Sequence, residues 1–469
     1  MPKRNLAWIL VITMITLLMW QLPQIIAGRD AVYRAFGPLV DARAQIRKRY
    51  VDDTDDAQLV SAAVDAGIKA MVDRLEDPYA LYLNEKDYVR FKNRTDGIFG
   101  GIGVDVCSVD KGLEVLSRTP NSPAVAAGVL PGDIITHVDG RPMNKMSLDD
   151  AVNRMLNGPP ETRVTLTISR PSDGSQSPPR QIIVERAIIH FDPICGWSRT
   201  DEGGWRFMLD EQYGIGYVRL LKFTPDADDR LDVEVERLLR ANMKAMVLDL
   251  RNNTGGLLDS AREIADRFLE SGLIVSTAGR KTDEKKWYAM RDGTYPNFPL
   301  AVLVNGSSAS AAEILAGSLR DNNRAVVVGE RTYGKGSVQE VVELDRQSGA
   351  IKLTTAYYYL PNGQCIHRTP KSIEDDTWGV KPTIPVNLTE SQRAKWVAAW
   401  RDLGRERMAA TQPASAPTTR VSTSEPSEDV QRRAAARALF DADLQLDKAV
   451  EYLRSVINPT TTQPSAKSS

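Results

Sequence analysis

Residues 301–340, AVLVNGSSASAAEILAGSLRDNNRAVVVGERTYGKGSVQE, constrain this chain more than any other stretch. An apolar run, a turn of small residues, the helical pattern AAEILAGSLR, a second β-branched run and a Gly-flanked lysine follow one another directly. With GIGYVRLLKF, a predicted helix over 228–242 and AMVLDLRNNTGGLL upstream, hydrophobic strands alternate with helices. That alternation predicts an α/β core with a mainly parallel sheet covered on its faces, whose functional groups gather where strands end. RNNTGG, Ser310 and Lys335 all fall at such ends.

A serine hydroxyl is a poor nucleophile until a base takes its proton. Histidine is scarce, with only His137, His190 and His367 and no HExxH, so the base is sought among Lys, Asp and Glu. Lysine serves only when neutral, and burial, which disfavours its charged form, brings its pKa from about 10.4 towards 7 or 8. Ser310 opens the predicted helix, where unpaired N–H groups favour a developing oxyanion, and the amide of Ala311 is the obvious donor. The glycines of RNNTGG offer a second donor unobstructed by side chains.

At 469 residues the chain is long enough for two to four units at roughly 100 to 200 residues each. A net charge of -1 gives no electrostatic case for nucleic acid. Cys107, Cys195 and Cys365 are far apart and in no CxxC pair, so neither a disulfide framework nor a zinc site is supported, and no cofactor is implied. Lys3 and Arg4 precede an apolar segment over 6–27, about the length of a bilayer-crossing helix. The expectation is a membrane anchor in a single-pass protein of the cell membrane, its catalytic part extracytoplasmic, that is, periplasmic. The alternative is secretion to the periplasm after signal cleavage, against which Ile25 is a poor match to a small-x-small site.

The remaining organisation is multidomain α+β. After the signal peptide or anchor at 1–28 comes a small helical subdomain over 29–95. Over 96–190, short β-branched runs with glycine turns alternate with two helical patches. An α/β core over 191–390 contains RNNTGG, Ser310 and Lys335. In it, 350–366 reads as a strand pair joined by a Pro-Asn-Gly turn, and 368–386 as a surface loop. The last part, 391–469, is a helical segment with a Pro/Ser/Thr-rich linker and a disordered tail.

FGGIG, SPAVAAGVLPGDIITHVDG and MSLDDAVNRM resemble, in order and spacing, a PDZ domain of the bacterial type. The resemblance implies capture of a peptide C-terminus by β-augmentation, with Phe99, Gly100, Gly101, Ile102 and Gly103 holding the terminal carboxylate. Where relatives carry an Arg-Gly pair and then a Gly-Thr pair, this chain has NGPPET (157–162), so gating through that arginine does not transfer.

NGSSASAAEILAGSLRDNNRAVVVGERTYGKGSVQ and DLRNNTGGLL resemble the two signatures of the carboxyl-terminal processing, or tail-specific, serine proteases, over about residues 40–390. The resemblance implies Ser310 as nucleophile, Lys335 as general base, Gln339 as the side chain orienting the lysine, and Ala311 and Gly256 as oxyanion-hole amides. Three positions depart from the family: Ala312 stands where a serine is common, Thr254 for the proline of RNNPGG, and Thr383 for an aspartate. The implied partners are protein or peptide substrates bound through their C-terminal tails, and the membrane through the N-terminal helix. A homo-oligomer is compatible with the sequence. Two rival readings are an inactive membrane-tethered PDZ scaffold and a P-loop-like nucleotide hydrolase. GERTYGKG approaches the phosphate-loop pattern, but Gly336 replaces its hydroxyl residue and a strand replaces its helix.

Overall fold

The computed structural model describes residues 13–14, 36–170, 178–200, 204–281, 283–345, 349–404 and 437–459. Among these, no helix is long and apolar enough to cross a membrane. The expected anchor over 6–27 lies outside them apart from Thr13 and Met14, as do most of the linker and the tail. The chain divides into two units, Met1–Glu85 with Val341–Leu353, and Lys86–Glu340 with Thr354–Ser469.

In the first unit, helices Gly37–Arg49 and Asp56–Asp73 are joined by Arg43, whose Nε donates to Asp56 at 2.7 Å. Asp55 caps the second helix by accepting from the amides of Ala57 and Gln58. Strand Leu81–Leu83 pairs antiparallel with Ala350, Ile351 and Lys352. Among the described helical residues of this unit, only Val72 is buried.

The second unit holds a six-stranded antiparallel sheet in the order Val104–Val109, Gly112–Arg118, Ile134–Val138, Arg163–Ser169, Arg180–Glu185, with Arg141–Pro142 on the third. Val164, Leu166 and Ile168 face inward at period two and join Ile102, Leu113, Val115 and Ile135 in a core of their own. Val104–Val109 is an edge strand of this sheet.

The same unit contains a seven-stranded sheet in the order Ile194–Cys195, Ile215–Leu220, Ala245–Asp249, Leu300–Val304, Val326–Gly329, Ile384–Pro385, with Met208–Asp210 also on Ile215–Leu220. The run from Ile215–Leu220 to Ile384–Pro385 is parallel throughout. Helices Ala227–Arg240, Leu258–Phe268 and Ala311–Asp321 build one core with this sheet, and Leu444–Ile457 builds the other. Ala245–Asp249 and Leu300–Val304 are therefore buried at every residue, as two-sided cover demands.

The expectation of a mainly parallel arrangement needs correcting in scope: outside those strands the pairings are antiparallel, and the described sheets taken together are mostly antiparallel. The predicted strand pair over 350–366 is also reduced. Ala350–Tyr359 is a strand, but only Cys365 bridges back to it, because the chain turns aside and the Arg368 amide bonds Gly334 C=O at 2.8 Å. The supposed loop beyond it contains the short helix Pro370–Glu374, capped by Thr369. What matters for function is that three adjacent parallel strands end side by side and release the loops 250–257, 305–310 and 330–336 at one edge.

Candidate active site

Ser310 is the N-cap of Ala311–Asp321, with φ 57° and ψ −118°. A positive φ is unfavourable for a residue with a Cβ, so the surrounding contacts must over-determine it. They are visible. The Ser310 N–H donates to Glu313 Oε2 at 2.8 Å, its carbonyl accepts from the Ile314 N–H at 3.0 Å, and the preceding Ala309 N–H donates to Asn253 C=O at 2.9 Å. The Tyr358 hydroxyl lies 3.2 Å from Ser310 C=O and also meets Lys335 C=O. Ser310 itself is half-buried.

Glu313 is fully buried and binds two loops at once. Oε1 accepts from the Thr332 hydroxyl at 2.5 Å and the Gly334 N–H at 2.7 Å, and Oε2 accepts from Ser310 and Lys335, both at 2.8 Å. The backbone nitrogens of Ser310 and Lys335 are thus at most about 5.6 Å apart, twice that bond length. Burial pushes the Glu313 carboxyl above the ordinary range, and the four hydrogen bonds oppose it. With every partner in place as a donor, the carboxylate is the form this geometry accommodates. The motif Ser310-Ala-Ala-Glu313 has the capping-box spacing, so the sequence carries a signal for Glu313 as a cap residue and none for it as a base. Thr332 and Tyr358 had no such signal.

The RNNTGG loop lies against the serine. A Cβ on Gly255 would come within 2.8 Å of the Ser310 Cβ and 3.1 Å of the Ala311 nitrogen; one on Gly256 would strike the Phe223 carbonyl at 2.1 Å. Their φ values of 101° and 154° also exclude other residues without strain. Gly256 is exposed, and Ala311, first in its helix, has no intrahelical acceptor for its N–H. Asn253 is buried and shapes the turn: its Nδ2 donates to Leu220 C=O and its Oδ1 accepts from Gly255 N–H, each at 2.8 Å. Asn305 pairs with Asn252 in both directions, at 3.0 and 2.8 Å, which ties this loop to the one leading into Ser310. Thr254 is exposed, so the missing proline leaves no hole in the core.

Lys335 is half-buried just before the strand Ser337–Glu343. Gln339, two residues into that strand, donates from Nε2 to Ser337 Oγ at 2.9 Å and Thr354 Oγ1 at 3.3 Å. The glycine-rich loop of the other domain is built differently. Ile98–Gly101, which includes Phe99 and Gly100, pairs antiparallel with Ala187–His190, and Gly101, Ile102 and Gly103 are buried. Gly100 C=O accepts from the Gly158 N–H at 2.9 Å.

The chain that ties a helix-opening serine and the backbone of a lysine loop to one carboxylate belongs to peptidase family S41. Residues 214–386 match that family and residues 114–170 a PDZ domain. Membership of that family makes it a serine-type peptidase, and its relatives include carboxy-terminal-processing proteases. A carboxy-terminal-processing protease of Bartonella bacilliformis is 35% identical over 71% of this chain and 73% of the relative. A carboxyl-terminal-processing protease of Synechocystis sp. is 34% identical over 64% and 68%. Among solved structures, a photosystem II D1 C-terminal processing protease aligns at TM-score 0.41 and 27% identity over 74% of this chain and 92% of its own.

Proposed function

We propose that the chain takes the free C-terminal tail of a protein onto its PDZ domain and cuts near that tail, with Ser310 as nucleophile and Lys335 as general base. The observation that carries the dyad is the single oxygen of Glu313 shared by the Ser310 and Lys335 amides. Ser310 Oγ attacks the scissile carbonyl while Lys335 Nζ takes its proton. The oxygen that becomes negative is met by the N–H groups of Gly256 and Ala311, reinforced by the N-terminus of the helix. Collapse returns the proton from Lys335 to the leaving amine. A water activated by the same lysine then hydrolyses the acyl ester and frees Ser310. Gln339 steadies the lysine from the adjoining strand.

Tail recognition is supported by the edge position of Val104–Val109, whose outer backbone groups can accept an added strand. The loop from Phe99 to Gly103 leads into that edge and would meet the terminal carboxylate. The basic flank and apolar segment of residues 3–27 support an extracytoplasmic site of action, with that segment as anchor or export signal.

The test is cleavage of a fluorogenic peptide with a free apolar C-terminus beside its amidated twin. Loss of turnover in both Ser310→Ala and Lys335→Ala is expected, and wild-type turnover in either sinks the dyad. Amidation should raise KM about tenfold, the loss of one charge-assisted contact. Equal KM for the twins removes the tail-recognition reading and leaves the dyad standing.

A further inference from the structure

Behind the RNNTGG loop lies a fully buried charge cluster whose members come from within the protease core and from the segment that follows it. Arg251, 1% exposed, donates from Nη2 to Asp249 at 2.6 Å and to Asp443 at 2.8 Å, and from Nη1 to Asp443 at 2.8 Å and Gln445 at 3.2 Å. Trp396 and Trp400 cover the guanidinium with ring centroids 4.9 and 5.9 Å away. Trp400 also donates its indole N–H to Asp443 at 2.8 Å. Asp249 is bonded by Tyr217 at 2.7 Å, and Arg219 reaches the Arg251 carbonyl at 3.5 Å.

Buried ion pairs are poor devices for stability, because desolvation offsets their attraction, yet removing one partner strands the other charge. Such a cluster is better suited to holding one geometry. Here the residue it holds, Arg251, begins the turn that reaches the Ser310 side at Gly255 two bonds of sequence beyond Asn253. We propose that Asp443, together with Asp249, is a positioning residue for the oxyanion loop, so that the chain beyond residue 436 contributes to the chemical step. This rests on the assignment of the Gly256 amide to the oxyanion hole.

The position of an oxyanion donor matters in the transition state and little in the ground-state complex. Asp443→Asn in the full chain should therefore lower kcat by about 10- to 100-fold, approaching the loss of one oxyanion donor, with KM within twofold. A peptide aldehyde, whose adduct with Ser310 carries the mimicking oxygen, should lose affinity by a similar factor. Trp400→Phe keeps the ring over Arg251 but removes the indole N–H, and should give a smaller change of the same kind. Leu453→Ala, in the same terminal helix but on its sheet-facing side, should lower the melting temperature without altering kcat where circular dichroism shows it folded. The proposal is overturned if folded Asp443→Asn keeps kcat within twofold of wild type, or if Leu453→Ala loses kcat to the same extent. Ser310→Ala in the same assay separates the failures: residual cleavage there condemns the dyad, whereas a dead Ser310→Ala beside a fully active Asp443→Asn condemns only the clamp.

Discussion

The two halves of the site are held by opposite means. The Ser310–Lys335 half is held by one carboxylate encoded between them, and its members lie within one strand-helix-strand unit. The RNNTGG half is held by amide side chains and by a buried arginine whose partner stands 192 residues away. The first kind of support comes with local chain geometry; the second exists only when distant segments have packed. A lesion in the first should act on the nucleophile and base together. One in the second should act on charge stabilisation and leave nucleophile and base in place.

The strongest way to break this contrast is at the proposed nucleophile and base. Ser310→Ala and Lys335→Ala should each lower kcat by about 10⁴-fold or more, and the double variant should lose little further, since groups that act as one unit are not additive. Additive losses in single-turnover assays would separate the pair. Next comes Glu313→Gln, which turns a carboxylate oxygen into an NH2 facing amide donors. It should lower kcat about 10²-fold and stability by about 1–3 kcal/mol, read by denaturant unfolding, as buried donors lose their acceptor. Wild-type kcat in that variant would deny the carboxylate its linking role.

Gly255→Ala tests the seam between the halves. The added Cβ meets the Ser310 Cβ at 2.8 Å and requires a positive φ, so a loss of about 1–3 kcal/mol and a kcat reduction are expected from thermal melts and steady-state rates. Acid unfolding probes the distant support. Burial would raise the Asp249 carboxyl, but Arg251, Arg219 and Tyr217 overcome that and hold it below the ordinary range. A folded pKa below the unfolded value, about 3.9, means a contribution present above that pH and lost as pH falls towards the folded pKa. Folded Asp249→Asn should lose this part of the pH dependence below about pH 4, and an unchanged acid limb would contradict it. The smallest effect is Ser310→Gly against Ser310→Ala. Both should be inactive, but glycine relieves the positive φ and should be more stable by about 1 kcal/mol.

The local half was the more legible one. Alternation of apolar strands and helices announced the parallel strands, and Ser310 and Lys335 stood out because they close such elements. Glu313 was legible too, three residues after the cap, but only to a search for caps. Asp443 was not, since nothing in a sequence says which of many acidic residues will meet Arg251 once the chain has closed. The PDZ strands showed in their alternation, whereas the pairing of Ile98–Gly101 with Ala187–His190 joins distant segments and left no local trace. The overestimated strand pair has the same origin: turn chemistry at Pro361, Asn362 and Gly363 predicts a reversal, but the Arg368 bond to Gly334 decides where the returning chain goes.

The separation between Arg251 and Asp443 has a consequence for the timing of synthesis. A chain emerges amino terminus first, so the serine, the lysine and their shared carboxylate exist well before the residue that completes the arginine's surroundings. A nascent chain, or one truncated before residue 437, would carry Ser310 and Lys335 without the final packing behind RNNTGG. On the proposed role of Asp443, proteolytic competence would wait until residue 443 has been made and has met Arg251.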